Sequence, residues 1–370
     1  FQTTEEPDES TGFPMRVKRI LKCSILSDAT EQDSVISVPF IPEASNDSDS
    51  LVLGYKEDTL QWDLPRSVSS EAVTYIRGLD SIPQSGPKRL AHFLKYLSHE
   101  DEFIAGDAYN EFAEASMEDI VGLRGELDRK WIVAQLRDDS LPTHRRRLCW
   151  TFLSQCGLPS DTSLFDEMLQ KRDVDPTFDP GMDAAIACYI SLGGETALAR
   201  IESDFLSSQD AAYTDSFSAV SAIRVHGTDL DILPRERLAK ALRQLLGRPD
   251  LADLVIPDLA RWEDWSAIDQ MVKLFRNSSE ESHLARPAAV MYLKACPLPE
   301  ATLALAKLKT IDPSAVEQAE LSMMLYRGLP AVPVPPPETE DSIGVSQDQT
   351  AAEDDEPLDQ ARIARNPLSE

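Results

Sequence analysis

The side chains able to do chemistry are scattered along this chain and nowhere gather into a known constellation. His92 and His99 lie two helical turns apart and are followed at once by Glu100, Asp101 and Glu102. Imidazoles at that spacing can share one helix face, yet a metal centre needs three or four converging ligands and outer hydrogen bonds to orient them. The three acids stand where the next helix has to begin, and carboxylates belong at a helix N-terminus without any metal. Arg145, Arg146 and Arg147 form the sharpest basic run. Neighbouring helical residues fan around the axis, so some of these three reach solvent and one lays its stem between packed helices. An anion site is the competing reading, and the surrounding acidity opposes it.

A basic helix, LPRERLAKALRQLLGRP, is more informative. It carries Arg235, Arg237, Lys240, Arg243 and Arg248 in a chain with 64 acidic and only 36 basic residues. Two uses compete for these cations: ion pairs to acids of neighbouring helices, or a docking place for an acidic partner or for the chain's own acidic tail. Trp262 and Trp265, in DLARWEDWSAI, stand one helical turn apart, the spacing of packed core aromatics. A tryptophan left on the surface would instead anchor a partner. The candidate partner-binding residues are therefore Arg235, Arg237, Lys240, Arg243, Trp262 and Trp265. No catalytic, cofactor-binding or metal-binding residue is assigned, because the chain has no GxSxG, P-loop, GxGxxG, HExxH or EF-hand pattern. The expectation is a protein that is not an enzyme and takes no cofactor.

Composition narrows the partners. A formal charge of −28 disfavours nucleic acid and anionic lipid, whose binders draw affinity from Lys and Arg on phosphates. No apolar run reaches the ~18 to 20 residues of a membrane span, and no signal-peptide pattern is visible. The chain opens at Phe1 and runs into TTEEPDES; the expectation is that an upstream segment has been removed, which leans toward export. The five cysteines, Cys23, Cys149, Cys156, Cys188 and Cys296, show no CxxC spacing. Four fall in helical patterns, where a free thiol acts as a small buried hydrophobe; one disulfide is the alternative.

The elements that must position these residues fall into four segments. Residues 1–12 are expected to be a disordered acidic stretch. Residues 13–66 read as a small β module of three or four strands, with RVKRILKCSI, DSVISVPF and SLVLGY each followed by turn-formers. Serines in QWDLPRSVSSEAV are placed to cap the first helix. Residues 67–328 are helical throughout. Residues 329–370 are rich in Pro, Asp and Glu without an aromatic residue and are expected to be disordered.

Within the helical region a break recurs near Ser116, Gly157, Gly193, Gly227, Trp262 and Pro297. After the first interval the spacing is about 34 to 36 residues, that of two-helix repeats. In this reading the glycines at 157, 193, 194 and 227 are left-handed C-terminal caps, each followed by an acidic or proline start to the next helix. The stretch DAAIACYISLGGETALARIESDFL, with small residues before the turn and a Leu-rich helix after it, resembles the HEAT repeat. The resemblance covers about residues 85 to 310 and is of bacterial type: RVKRILKC leading into DSVISVPF resembles small β modules that precede helical repeats in exported bacterial proteins.

The resemblance implies a mainly α fold, a right-handed α-α superhelix of about six helix pairs. The β module and the helix from Pro313 would cover its two ends. Second helices, around residues 160–171, 195–206, 235–246 and 264–276, would line a concave groove that holds another protein or peptide. That makes a non-catalytic interaction scaffold the expected function. A lyase-like enzyme on the same frame and a purely structural envelope or assembly component are the alternatives.

Overall fold

The computed structural model describes residues 13–21, 33–39, 49–56, 60–175, 177–248, 250–278 and 284–326. The acidic start, Cys23 and the Pro- and acid-rich stretch 329–370 lie outside them. The described residues up to Leu321 belong to one compact unit.

Six short strands, β1 (Phe13–Arg16), β2 (Val35–Val38), β3 (Asp49–Leu51), β4 (Gly54–Lys56), β5 (Leu60–Trp62) and β6 (Arg66–Val68), replace the expected three or four. They form three antiparallel pairs, β1 with β2, β3 with β6 and β4 with β5. SLVLGY is divided between β3 and β4, and the segment after it, which reads in sequence as the approach to the first helix, supplies β5 and β6. Alternation in β2 turns Ile36 and Val38 inward, where they meet Met15 and Val17 in a small core edged by Phe13, Val52 and Trp62. On β6 and β3, Val68 and Leu51 pack instead into the helical core. A two-stranded pair is marginal alone, and this second attachment ties the strands to the helices.

Fifteen α-helices follow among the described residues. They are α1 (Ser70–Gly78), α2 (Pro87–Leu94), α3 (Glu102–Ala113), α4 (Met117–Val121), α5 (Arg129–Arg137), α6 (Thr143–Cys156), α7 (Ser163–Val174), α8 (Met182–Ile201), α9 (Tyr213–Thr228), α10 (Arg235–Leu242), α11 (Ala252–Arg261), α12 (Ile268–Asn277), α13 (Ala285–Ala295), α14 (Pro299–Ile311) and α15 (Pro313–Tyr326). Local chemistry starts many of them. Ser69 accepts from the Ala72 amide at 2.9 Å, Asp101 from Phe103 at 2.9 Å and Ser116 from Asp119 at 3.2 Å, each filling an otherwise unpaired first-turn donor. Pro87 and Pro299 open α2 and α14, where a missing N–H costs nothing. Among the described residues no helix is long and apolar enough to cross a membrane.

The helices pack on near neighbours in sequence: α5 on α6, α6 on α8, α8 on α9, α11 on α13 and α13 on α14. One apolar cluster runs unbroken from Val68 to Ala319. Phe93, Phe152, Phe165 and Phe275 are among its largest buried side chains, each worth about 1.5–3 kcal/mol on burial. Phe165 lies face to face with Tyr189 at 4.6 Å, which joins α7 to α8.

The breaks fall near the expected places, but the glycines do three different things. Among the glycines at the breaks, Gly194 has a backbone reserved for glycine, φ 56 and ψ −134, and it splits α8 into two runs with no loop between them. Gly157 is extended, at φ −71 and ψ 166, and not left-handed. A Cβ there would stand 2.6 Å from the Leu153 carbonyl and 3.0 Å from Leu192, so glycine is needed for close approach of α6 to α8. Gly227 lies inside α9 with helical geometry, and a Cβ would overlap the Trp262 ring. The left-handed cap is thus corrected for Gly157, Gly193 and Gly227, none of which has a positive φ; Trp262 of a neighbouring helix requires glycine at 227, and at 157 both the Leu153 carbonyl of the same helix end and Leu192 do.

These roles separate on substitution. Gly106 lies inside α3, and a Cβ added there would meet nothing within 4 Å; Gly106→Ala should gain about 0.5–1 kcal/mol. Gly194→Ala should lose about 1–3 kcal/mol through backbone strain, and Gly227→Ala a similar amount through displacement of Trp262. Urea unfolding of the three variants checks the order; a stabilised Gly227→Ala would contradict the packing role.

Candidate functional site

Charge decides how the candidate residues are used. Several arginines bond carboxylates 30 to 36 residues away: Arg129 to Asp161, 32 residues on, at 2.7 Å; Arg137 to Glu167, 30 on, at 3.0 Å; Arg224 to Asp258, 34 on, at 2.7 Å. Two more reach back by the same interval, Arg200 to Asp166 over 34 residues and Arg237 to Glu202 over 35, both at 2.7 Å. Arg147 and Asp183 pair across 36. The interval of these six pairs is close to the spacing of the breaks, while other pairs lie outside it, Arg89 with Glu111 across 22 residues and Arg172 with Asp215 across 43. Asp258 shows the strongest case: it is 0% exposed and accepts from both Arg224 and Arg261. A carboxylate taken out of water requires such partners.

The Arg triplet divides as a fan around its helix does. Arg145 pairs with Glu102 and lies 4.7 Å over the Tyr109 ring. Arg146, 2% exposed, donates to the Leu141 carbonyl at 2.8 Å and the Asp138 carbonyl at 3.3 Å, and stands 4.5 Å over Phe178. It satisfies backbone acceptors left open beyond the end of α5. Burial lowers its pKa.

On the basic helix, Arg235 Nε donates to the Gly227 carbonyl at 3.0 Å, closing the last turn of α9. Arg237 bonds both Glu202, at 2.7 Å, and Glu195, at 2.6 Å. The Glu202 bond is the main cause that raises its pKa above the usual arginine value. Arg243 pairs with Asp264 and donates to Ser266 at 2.7 Å, while Arg248 donates to Ser216 and to the Ser208 carbonyl, both at 3.2 Å. Lys240 is exposed. Trp262 lies against Gly227, and Trp265 meets Tyr292 edge-on at 5.3 Å; both are half-buried against the core. The structure therefore spreads the six candidates over the junctions of α8 to α13; among the described residues Lys240 is exposed without an ion pair, and Arg235 is exposed and bonded to a backbone carbonyl.

The histidine cluster is structural in its visible contacts. His99 Nδ1 accepts from the Asp101 amide at 3.0 Å, and Nε2 is 3.4 Å from Glu71. Asp101 caps α3 and accepts from Ser69, a bond that holds its carboxyl below the usual range. Among the described residues no group of three or more His, Cys, Asp and Glu side chains is placed to hold a metal ion. Cys149, Cys188 and Cys296 are buried free thiols and Cys156 a partly buried one; burial pushes the Cys149 thiol up to about 12.

Sequence reasoning missed one recess. It holds about 710 Å³ between the strands and the first helices, with Leu51 and Trp62 on one side and Val73, Ile76 and Phe103 on the other. No local pattern announces it, since its walls come from β3, β5, α1 and α3. The one signal in the sequence is SLVLGY, whose Leu53 is left exposed.

Removing one member of a buried pair strands the other. Arg224→Ala should cost about 3 kcal/mol, because the Asp258 carboxylate stays out of water without its forked partner. Arg137→Ala, at a pair exposed on both sides, should cost about 0–1 kcal/mol; equal losses in denaturant titrations would contradict the ranking. A second outcome concerns pH. His226 is 1% exposed and bonded through Nε2 to the Ala187 carbonyl at 2.9 Å, and burial lowers its pKa. The unfolded imidazole takes up a proton near pH 6.5 that the folded one refuses. Its contribution is thus complete above about pH 6.5 and declines as pH falls below that value. His226→Gln, which keeps a donor for Ala187, should flatten the unfolding midpoint between about pH 6.5 and 5; an unchanged slope would show that His226 is not responsible.

Comparison with known proteins finds no counterpart: no protein-family model, no curated protein and no solved structure matches the chain.

Proposed function

We propose that residues 67–328 form a HEAT-like right-handed α-α solenoid and that the chain is a non-catalytic scaffold binding another protein or peptide. The observation that carries this reading is the 30- to 36-residue interval shared by six of the arginine pairs, which is what stacked, equivalent helix pairs would produce. The second helices α7, the later part of α8, α10 and α12 would then share one surface. After the internal pairs are subtracted, Lys240 on α10 and Lys273 and Arg276 on α12 remain exposed. Such cations on an otherwise acidic chain suit a partner that presents carboxylates.

The acids speak against the lyase alternative. A catalytic carboxylate in a groove would be desolvated and raised. Buried Asp258 instead answers two arginines, and Arg129 holds Asp161 low.

The test uses the full chain as bait in extract of its source organism, beside a Lys240→Glu, Lys273→Glu, Arg276→Glu variant. A partner retained by the native chain and at least about tenfold depleted on the variant, with helical circular dichroism unchanged, is the expected result. Equal capture by both chains would overturn the placement, and no specific capture would overturn the scaffold reading. Changing Arg235, Arg237 and Arg243 would be less informative, since their bonds hold helices together.

A further inference from the structure

The recess between strands and helices gathers apolar surface that the fold leaves open. Leu51 and Trp62 stand on its strand side, and Val73, Ile76 and Phe103 on its helix side. Among the described residues of 13–68, the exposed large hydrophobic side chains are Ile20, Val35, Leu53, Tyr55 and Leu64. Three of these, Ile20, Leu53 and Leu64, line this one hollow, with Leu53 at 60% and Leu64 at 55% exposure. Apolar side chains scattered singly over a surface need no partner, but a group of them around a concavity marks a place where an apolar body is covered.

The ionic groups of the recess select against a charged ligand. Lys18, Arg19 and Arg66 are matched one for one by Asp49, Asp63 and Asp107. Lys18 bonds Asp49 at 2.7 Å, and that bond, with a further pull from Arg19, holds the Asp49 carboxyl below the usual range. Asp107 accepts from the Tyr75 hydroxyl at 2.6 Å and Asp63 from the Leu64 amide at 2.9 Å, both neutral donors that leave the carboxylates their charge. A ligand of either sign would meet like charges as often as unlike ones and would still give up its hydration. Nor do the walls call for a hydrogen bond: among the described residues, none of the buried side-chain donors and acceptors left without a partner belongs to this recess. An uncharged molecule loses least on entry and gains about fourfold in affinity for each methylene covered.

We infer that this recess binds an uncharged aliphatic molecule of the fatty-alcohol kind, its hydrocarbon chain lying between the strand wall and the helix wall and covering Leu53 and Leu64. The volume, about 710 Å³, lies within the roughly 300–1,000 Å³ of small-molecule sites. The proposal goes beyond the scaffold reading and stands or falls apart from it, because none of its residues belongs to α7, α8, α10 or α12.

Isothermal titration of the full chain with hexanol, octanol, octanoate and octylammonium tests it. Octanol should bind saturably at one site. It should bind at least about tenfold tighter than hexanol, as two methylenes of about fourfold each require, and at least about tenfold tighter than either ion. Leu53→Glu with Leu64→Glu, both at exposed positions, should weaken octanol at least about tenfold while melting temperature is kept. Leu303→Glu, at a similarly exposed leucine of α14 outside the recess, should leave octanol binding unchanged. No saturable binding of octanol would overturn the proposal. So would equal affinity for octanoate or octylammonium, full affinity in the double leucine variant, or an equal loss in Leu303→Glu.

Discussion

An arginine on one helix held by a carboxylate one helix pair away is the contact on which the helical region depends. Packing alone does not choose a register, since apolar faces of this kind slide with modest loss. A bidentate fork is less forgiving, because both N–H bonds must be aligned at once. Arg224 on Asp258 and Arg237 on Glu202 therefore fix where α9 lies beside α11 and where α10 lies beside the end of α8. Around them the apolar cluster supplies most of the stabilisation, and the ion pairs decide the alignment in which it is obtained. The surface pairs, such as Arg137 with Glu167, add little energy singly.

The same contact bears on how the cations of the chain are used. Acids outnumber bases 64 to 36, which sets the net charge at −28, and many of the helical arginines are drawn into ion pairs. Cations that escape this use become informative. Lys240, Lys273 and Arg276 on α10 and α12 are among the exposed cations with no ion pair among the described residues.

Local rules are readable from residues alone, and tertiary ones are not. Ser69, Asp101 and Ser116 start helices because their side chains reach an amide two or three residues on, a relation wholly contained in the sequence. The spacing of the breaks is visible for the same reason. Gly227 resembles a helix end in sequence, yet its requirement comes from Trp262, 35 residues away, and no neighbouring residue betrays it. Gly157 answers partly to Leu192 and partly to the Leu153 carbonyl at its own helix end. The triplet at 145–147 fans as helical spacing dictates, but only packing reveals that Arg146 is the inward member. The recess has only the exposed Leu53 of SLVLGY as its sign in the sequence, because several strands together with α1 and α3 build it, and strands of three residues carry too little alternation to be distinguished from loop.

Native-state hydrogen exchange across α2 to α14 tests most directly whether helix pairs are held chiefly by their neighbours. Interior pairs, supported on both sides, should be the most protected, with protection falling in steps toward α2 at one end and α14 at the other, as a sum of nearest-neighbour terms requires. A single protection level shared by every helix would mean one undivided cooperative core, and would contradict a region built from pairs that lean on their neighbours.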